Sequence, residues 1–462
     1  MKRAVDCTVI GGGISGLVAA FDLAHLGKSV ILLEASDHLG GLISSVDIAG
    51  VAVDCGAESF AVTQSATLDL LAELGLSDLV IEPSRSDSRI FADGREFQIP
   101  FGVMGIPADL SDPLLQRIIG TGDIALAREL DAKPWNIVDE KSIGEIVEKR
   151  LGKVFVERIV NPIVAGVHAS DSYQLEMASV LPELLAVAGR LGSLHLAAKQ
   201  IRGSSGRPGS AVLGLKGGVH RLIEGLKLKL EESGVEIRTN VAAFEVAFDE
   251  LHNQWLTISS MGEISSGSLV IAVPPDRSSE LLGNFVELAN SLKAINSVDV
   301  ALVIMAIDRA DLSDEPLGPG VLIAAEGSGI SAKASTHATA KWNWLRESFG
   351  GNMEVIRLSY GRNGVLPVNV EELKNVAVAD LEILYGLSNP KVVESKVVMW
   401  PRSLIQAGVG HGENLNRIST LVQELPGLAI VGAGLGGNGI TGLIKKSREA
   451  VARLEKENTR NE

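Results

Sequence analysis

Cysteine is almost missing from this chain: Cys7 and Cys55 are the only two in 462 residues. They match no metal-ligand spacing and cannot form a disulfide framework, so both read as reduced packing residues at strand-like runs. Long apolar runs are missing too. The best, Val298 to Ile307, is broken by Asp299 and falls short of the roughly 18 residues that a spanning helix needs. Positive charge is scarce, with 42 Lys and Arg against 57 Asp and Glu and a net charge of −15. That balance excludes nucleic acid and an anionic bilayer as general partners. Any anionic ligand must find a local cluster of cations. No Ser/His/Asp or Cys/His arrangement and no HExxH pattern occurs, so hydrolytic and metal mechanisms have no support and no metal site is expected. No internal repeat is evident.

Glycine, by contrast, is abundant at 50 residues, and its placement is informative. The strand-like run Val5-Asp6-Cys7-Thr8-Val9-Ile10 leads into Gly11-Gly12-Gly13-Ile14-Ser15-Gly16, and a second strand, Ser29 to Leu33, ends on Glu34. Strand, GxGxxG turn, helix, strand and acid follow in the order of a dinucleotide-binding unit. Gly11 permits the tight turn, Gly13 lets backbone approach a pyrophosphate, and Gly16 lets helix and strand pack closely. Glu34 can accept from a ribose hydroxyl, while the helix N-terminus offers N–H groups to the phosphates. Past Glu34 and Ala35 comes a second glycine pair, Gly40-Gly41-Leu42, and then Gly56-Ala57-Glu58-Ser59. Alone, the pair reads as a surface turn. Beside Glu34 it reads as a second approach of backbone to phosphate, which an NAD dehydrogenase does not need.

At this length two or three domains are expected. The dinucleotide unit fills 1–80 and closes on a helix, Ala66 to Leu74. A hairpin follows, turning on Asp93-Gly94. From 107 to 202 apolar residues recur at helical spacing, as in Ile143, Ile146, Val147 and Leu151. The stretch 203–210 is a flexible linker by composition. Beyond it the chain is α/β again, with a strand ending at Pro274-Pro275, a helix from Asn369 to Tyr385 stopped by Gly386, and a last helix from about Gly442. The expected fold class is α/β (α+β, multi-domain). A Rossmann-like FAD/NAD(P)-binding domain comprises 1–80, 211–275 and 395–462. A mixed-sheet substrate domain comprises 81–106 and 276–394, and 107–202 forms a helical insert. The first strand starts at about residue 5, so neither signal nor transit peptide is expected, and a cytoplasmic location is.

Three longer segments carry a resemblance. They are Pro100 to Pro107; Ser142 to Gly152 running into Val160-Asn161-Pro162-Ile163-Val164-Ala165-Gly166-Val167-His168-Ala169-Ser170-Asp171; and Trp400-Pro401-Arg402-Ser403-Leu404-Ile405-Gln406-Ala407-Gly408-Val409-Gly410-His411. Together with Gly432-Ala433-Gly434-Leu435-Gly436-Gly437-Asn438-Gly439-Ile440-Thr441-Gly442, they resemble the oxygen-dependent protoporphyrinogen/coproporphyrinogen oxidase family of the FAD-dependent amine oxidase superfamily. The likeness covers nearly the whole chain. His168 and Ser170 stand where the family usually has Tyr and Gly, Ile405 and Ala407 where it has Pro and Tyr, and Ala57 where Pro is common.

The resemblance implies FAD held by Gly11, Gly12, Gly13, Ile14, Ser15, Gly16, Glu34, Ala35, Gly40, Gly41, Leu42, Gly56, Ala57, Glu58 and Ser59. Val241 would meet the adenine through its backbone. Trp400, Gly432, Ile440, Thr441 and Gly442 would border the flavin end. Val241 and Trp400 also read as plain core residues. The implied substrate is a porphyrinogen oxidised by dioxygen, with no catalytic side chain because the flavin performs the hard step. Met104 stands where eukaryotic members carry arginine, which points to the Gram-positive type that converts coproporphyrinogen III to coproporphyrin III. Protoporphyrinogen IX is the alternative substrate. A catalytically degenerate FAD-binding partner protein is an alternative of another class. Met104, His168, Arg95 and Arg357 are expected on the substrate side, with Arg89, Lys341, Arg346 and Arg362 as further cations for propionates. Singly, each Arg and Lys also reads as a solvated surface charge, and His168 as a structural histidine. At most peripheral membrane contact is expected, since Leu181 to Lys199 reads better as a packing helix than as an anchor. Transient contact with other haem-pathway enzymes is compatible with the family.

Overall fold

The computed structural model describes residues 3–62, 64–84, 88–92, 94–203, 212–312, 318–324, 327–435 and 439–461. Most of the linker read at 203–210, Asp93 of the hairpin turn, and Gly436-Gly437-Asn438 lie outside the described residues.

Strand Arg3–Ile10 is the centre of a parallel sheet. It pairs with Val30–Leu33 on one side and with Gly262–Ile271 on the other. Glu236–Arg238 and Leu428–Ile430 extend the two flanks, also in parallel. Val30 to Leu33 are all buried, as a strand covered on both faces requires. The first half of Gly262–Ile271 turns its free edge to an antiparallel pair, Gln254–Ser259 and Ala243–Asp249. Helices Ile14–His25, Arg221–Glu232 and Ile440–Asn461 cover one face, packing Leu17, Leu222, Leu226 and Ile444 onto Val9 and Leu32. Helices Pro275–Leu281, Val286–Lys293 and His411–Gln423 cover the other through Leu281, Leu288, Leu292 and Ile418. The fold is the α/β, Rossmann-like class expected from the opening unit.

A second, seven-stranded sheet runs in the order Val392–Gln406, Asn296–Asp308, Met353–Tyr360, Ala334–His337, Gly320–Ile323, Arg89–Ala92 and Arg95–Gln98. Only the Gly320–Ile323 and Arg89–Ala92 pair is parallel. One face carries helix Leu373–Tyr385, which ends on Gly386 at φ 64°. The boundary expected at 395 needs correction. Strand Val392–Gln406 lies wholly in the second sheet, paired with Asn296–Asp308, so the chain returns to the first sheet only after Gln406. Pro401 did not end this strand because it sits on the sheet's edge, opposite a register shift between Val298 and Val300.

Helices between Pro113 and Arg202 form a third core around Ile146, Val147, Phe155, Val160, Val164, Leu184 and Ala197. The apolar stretch from Leu181 is two helices, Pro182–Leu191 and Leu194–Arg202, split at Gly192. Their Leu184, Val187, Ala188, Leu194 and Ala198 face are buried in this core, so the stripe is a packing surface. Among the described residues no helix is long and apolar enough to cross a membrane.

A buried carboxylate ties the insert together. Asp131 accepts from Arg150 Nε at 3.1 Å, Ser193 Oγ at 2.6 Å and the Leu194 N–H at 2.9 Å, and its Oδ2 lies 2.5 Å from His195 Nδ1. Burial opposes its charge, but these donors hold its carboxyl down at about 2. Asp131→Ala strands a buried guanidinium and is expected to cost about 3–5 kcal/mol. Urea unfolding of the variant beside the parent checks this, and a loss under about 1 kcal/mol would contradict it.

Candidate active site

The carboxyl ends of the parallel strands carry the glycine turns and open into two helix N-termini, those of Ile14–His25 and Ile440–Asn461. Ligands of such sheets bind outside this edge. Gly11 takes φ +110°, and a Cβ there would sit 2.5 Å from the Ala272 carbonyl oxygen. One at Gly16 would sit 1.9 Å from the Gly11 carbonyl oxygen. These two glycines are demanded by the protein itself. Gly13 is different: its φ of −73° suits any residue, and a Cβ would meet no protein atom within 4 Å. The fold does not require glycine there, whereas a phosphate seated on the helix N-terminus does. The residues present therefore fit a dinucleotide.

The second glycine turn is stitched to the first, since the Gly40 N–H donates to the Gly12 carbonyl at 2.8 Å. Glu34 braces the same loop. Its Oε2 accepts from the Gly12 N–H at 2.7 Å, and its Oε1 accepts from the Ser36 N–H and Oγ at 2.8 Å each. A carboxylate has about four acceptor positions, so one remains for a ribose hydroxyl. Ser36 was missed in the sequence because a serine after an acid carries no pattern. The Val241 N–H donates to the Glu34 carbonyl at 2.9 Å, which leaves the carbonyl side of Val241 for an adenine.

Farther along, Gly56, Ala57, Glu58 and Ser59 are half-buried. Thr441 Oγ1 donates to the Ala61 carbonyl at 2.6 Å and lies 2.7 Å from Thr67 Oγ1, which pins the first turn of the last helix. The Trp400 indole donates to the Cys55 carbonyl at 2.8 Å. Glu58 forms ion pairs with Lys341, at 2.6 Å, and with Arg357. Arg357 also donates to the Gly56 carbonyl at 2.6 Å. Burial alone would raise the Glu58 carboxyl, but the two cations hold it at about 2. A cavity of about 860 Å³ lies behind the second turn between Leu39, Ile43, Ile223 and Trp400. Of the expected cofactor residues only Trp400 lines it.

The expected substrate residues are not all brought together. Arg357 is buried and pairs with Glu58. Arg95 is exposed on the far edge strand, six strands from Trp400 or roughly 29 Å at sheet spacing. Met104 sits at φ 48° in a turn packed on the helical core. Arg89 pairs with Glu96, and Arg346 with Glu354. His168 ends helix Asn161–His168 and its carbonyl accepts from Gln406 Nε2 at 2.6 Å, so the second and third sequence segments meet. A neighbouring bond, from the Glu176 N–H to the Ala407 carbonyl at 2.8 Å, secures the same seam.

A doubly covered parallel sheet with two glycine turns, joined to a second sheet, is the architecture of a dinucleotide-binding protein. Residues 14–453 match the family described as flavin containing amine oxidoreductase, and the chain belongs to it. It is 28% identical over 460 residues to the coproporphyrinogen III oxidase of Mycobacterium bovis, covering 96% of each chain. It is 24% identical over 465 residues to the Bacillus subtilis protein of the same name, again covering 96% of each. A putative protoporphyrinogen oxidase from Exiguobacterium shares the fold, with TM-score 0.84, 23% identity and 99% of both chains covered.

Proposed function

We propose that this protein oxidises coproporphyrinogen III to coproporphyrin III, with FAD as its cofactor and dioxygen as the oxidant. The observation that carries the reading is the end-to-end similarity to proteins named coproporphyrinogen III oxidase, over 96% of both lengths. The cleft is compatible with it. Val298, Val300, Ala334, Thr336 and Ser359 are only partly covered and offer a wall of apolar and hydroxyl side chains.

The FAD reading rests on Gly13, Glu34 and the Gly40-Gly41 turn for the adenosine and pyrophosphate, and on Glu58, Trp400 and Thr441 for the flavin end. When bound, FAD supplies the two-electron oxidation and is restored by dioxygen, in three rounds that each release one hydrogen peroxide. The protein's own part is to orient and to exclude water. Lys341 and Arg357 fix Glu58, Thr441 fixes the last helix, and the Gln406–His168 bond closes the seam between insert and sheet. No side chain is assigned a proton-transfer step, because the pyrrole nitrogens of the macrocycle can release protons during tautomerisation.

Protoporphyrinogen IX is the second reading, favoured by 27% identity to the human protoporphyrinogen oxidase over 68% of this chain. Comparing kcat/KM for the two porphyrinogens separates them. The tetra-acid is expected to win by about tenfold or more, the value of one or two extra charge-assisted contacts. A higher value for protoporphyrinogen IX would transfer the assignment. We also place the protein in the cytoplasm with at most peripheral membrane contact, supported by the buried apolar face of Pro182–Arg202. Recovery of most of the protein in a salt-washed membrane pellet would contradict this.

A further inference from the structure

Most of the cations that could meet a substrate carboxylate are already occupied. Lys341 and Arg357 hold Glu58, Arg89 holds Glu96, and Arg346 holds Glu354. Arg362 donates to the carbonyls of Ile323 and Ala332, at 3.0 Å each. Lys333 stands apart. It is only 4% exposed, yet among the described residues it has no carboxylate partner. Its Nζ makes one hydrogen bond, to the Gly166 carbonyl at 2.9 Å. An ammonium carries three donors, and leaving two unfilled inside a protein is costly.

The surroundings of Lys333 are one-sidedly positive. Burial and the nearby Arg362 charge lower its ammonium to about 8. Asp380 is engaged by the N–H groups of Ser331 and Ala332 and by the Tyr360 hydroxyl, and burial raises its carboxyl. The second polar atom without a partner at this corner is His168 Nε2, also buried. Burial, and then the charge of Lys333, push the His168 imidazole down to about 4. Two donors of the Lys333 ammonium and the His168 Nε2 atom are thus unfilled at this corner, and a carboxylate satisfies both.

The corner also lies within reach of the cofactor end. The Lys333 N–H donates to the Ser359 carbonyl at 2.7 Å, and Ser359 is two residues, about 7 Å, along its strand from Arg357. Partly covered Ala334 and Thr336 lie along the same stretch, paired with Ser359 and Arg357.

We infer that Lys333, assisted by His168 Nε2, is the receptor for a carboxylate of the substrate, one propionate of the porphyrinogen. The inference rests on the porphyrinogen reading above. The ammonium donates to one carboxylate oxygen while keeping its bond to Gly166, and the imidazole N–H donates to the other.

The test uses flavin-loaded protein and measures binding of coproporphyrin III and of its tetramethyl ester by flavin absorbance and tryptophan quenching. Lys333→Gln keeps a donor for the Gly166 carbonyl but removes the charge, and Lys333→Arg keeps the charge. The expected result is a Kd for the acid raised about tenfold or more in Lys333→Gln, largely regained in Lys333→Arg, with the ester unaffected by either. Unchanged Tm and flavin content report that the variants fold. Equal affinity of parent and Lys333→Gln for the acid overturns the inference. An equal loss for acid and ester also overturns it, by making Lys333 a brace for Gly166 only. A parent protein that binds neither porphyrin overturns the porphyrinogen reading itself, and the inference with it.

Discussion

Gly13→Val is expected to give folded protein that has lost its flavin. The backbone at Gly13 takes an ordinary φ of −73°, and no protein atom lies within 4 Å of a new Cβ. The cost to the flavin-free protein is therefore limited to a poorer helix N-cap, about 1 kcal/mol. A bound pyrophosphate would meet the branched side chain directly, and flavin affinity should fall at least ~100-fold, or about 2.7 kcal/mol. Gly16→Val makes the contrast, because its Cβ would lie 1.9 Å from the Gly11 carbonyl oxygen and the opening unit itself should fail. Visible flavin absorbance per mole of protein, read beside flavin-free Tm, checks both variants. Normal flavin content in Gly13→Val would show that the phosphate lies elsewhere.

Glu58→Leu is expected to destabilise the folded protein strongly. It leaves buried Arg357 and half-buried Lys341 side by side with no anion, at a cost of about 3–5 kcal/mol. The linkage to pH has a definite sign. The Glu58 carboxyl is depressed from near 4.5 to about 2 in the folded protein. Its contribution, about 3 kcal/mol for that shift, is present above the unfolded value and is lost as pH falls from about 4.5 towards 2. The difference in unfolding free energy between the parent and Glu58→Gln should be flat above about pH 5.5 and shrink below it. A difference that grows on acidification would contradict the assigned charges.

The nucleotide half of the site was legible because its signals are local. A strand, a glycine turn and an acid within 34 residues dictate one geometry, and Gly11, Gly12 and Glu34 meet as that pattern requires. The far end of the site was not, because its partners lie far apart in the chain. Glu58 meets Lys341 and Arg357 across separations of 283 and 299 residues, and each of those cations alone reads like a surface charge. The pairing of Arg357 with Glu58 carries no signal in the sequence. Lys333 sits in Ser-Gly-Ile-Ser-Ala-Lys, outside any periodic run, so nothing in the sequence marks it as buried. The edge strand Val392–Gln406 was missed for another reason. Pro401 usually ends a strand, and only the register shift opposite it lets this one continue.

The most direct measurement follows porphyrin absorbance and peroxide together after coproporphyrinogen III is added, in air, to the FAD-loaded protein. The expected result is coproporphyrin III formed well above the spontaneous rate, with three hydrogen peroxide released per porphyrin and no acceleration by Gly13→Val. Porphyrin formation no faster than in buffer, from protein that carries its full flavin, would contradict the proposed activity.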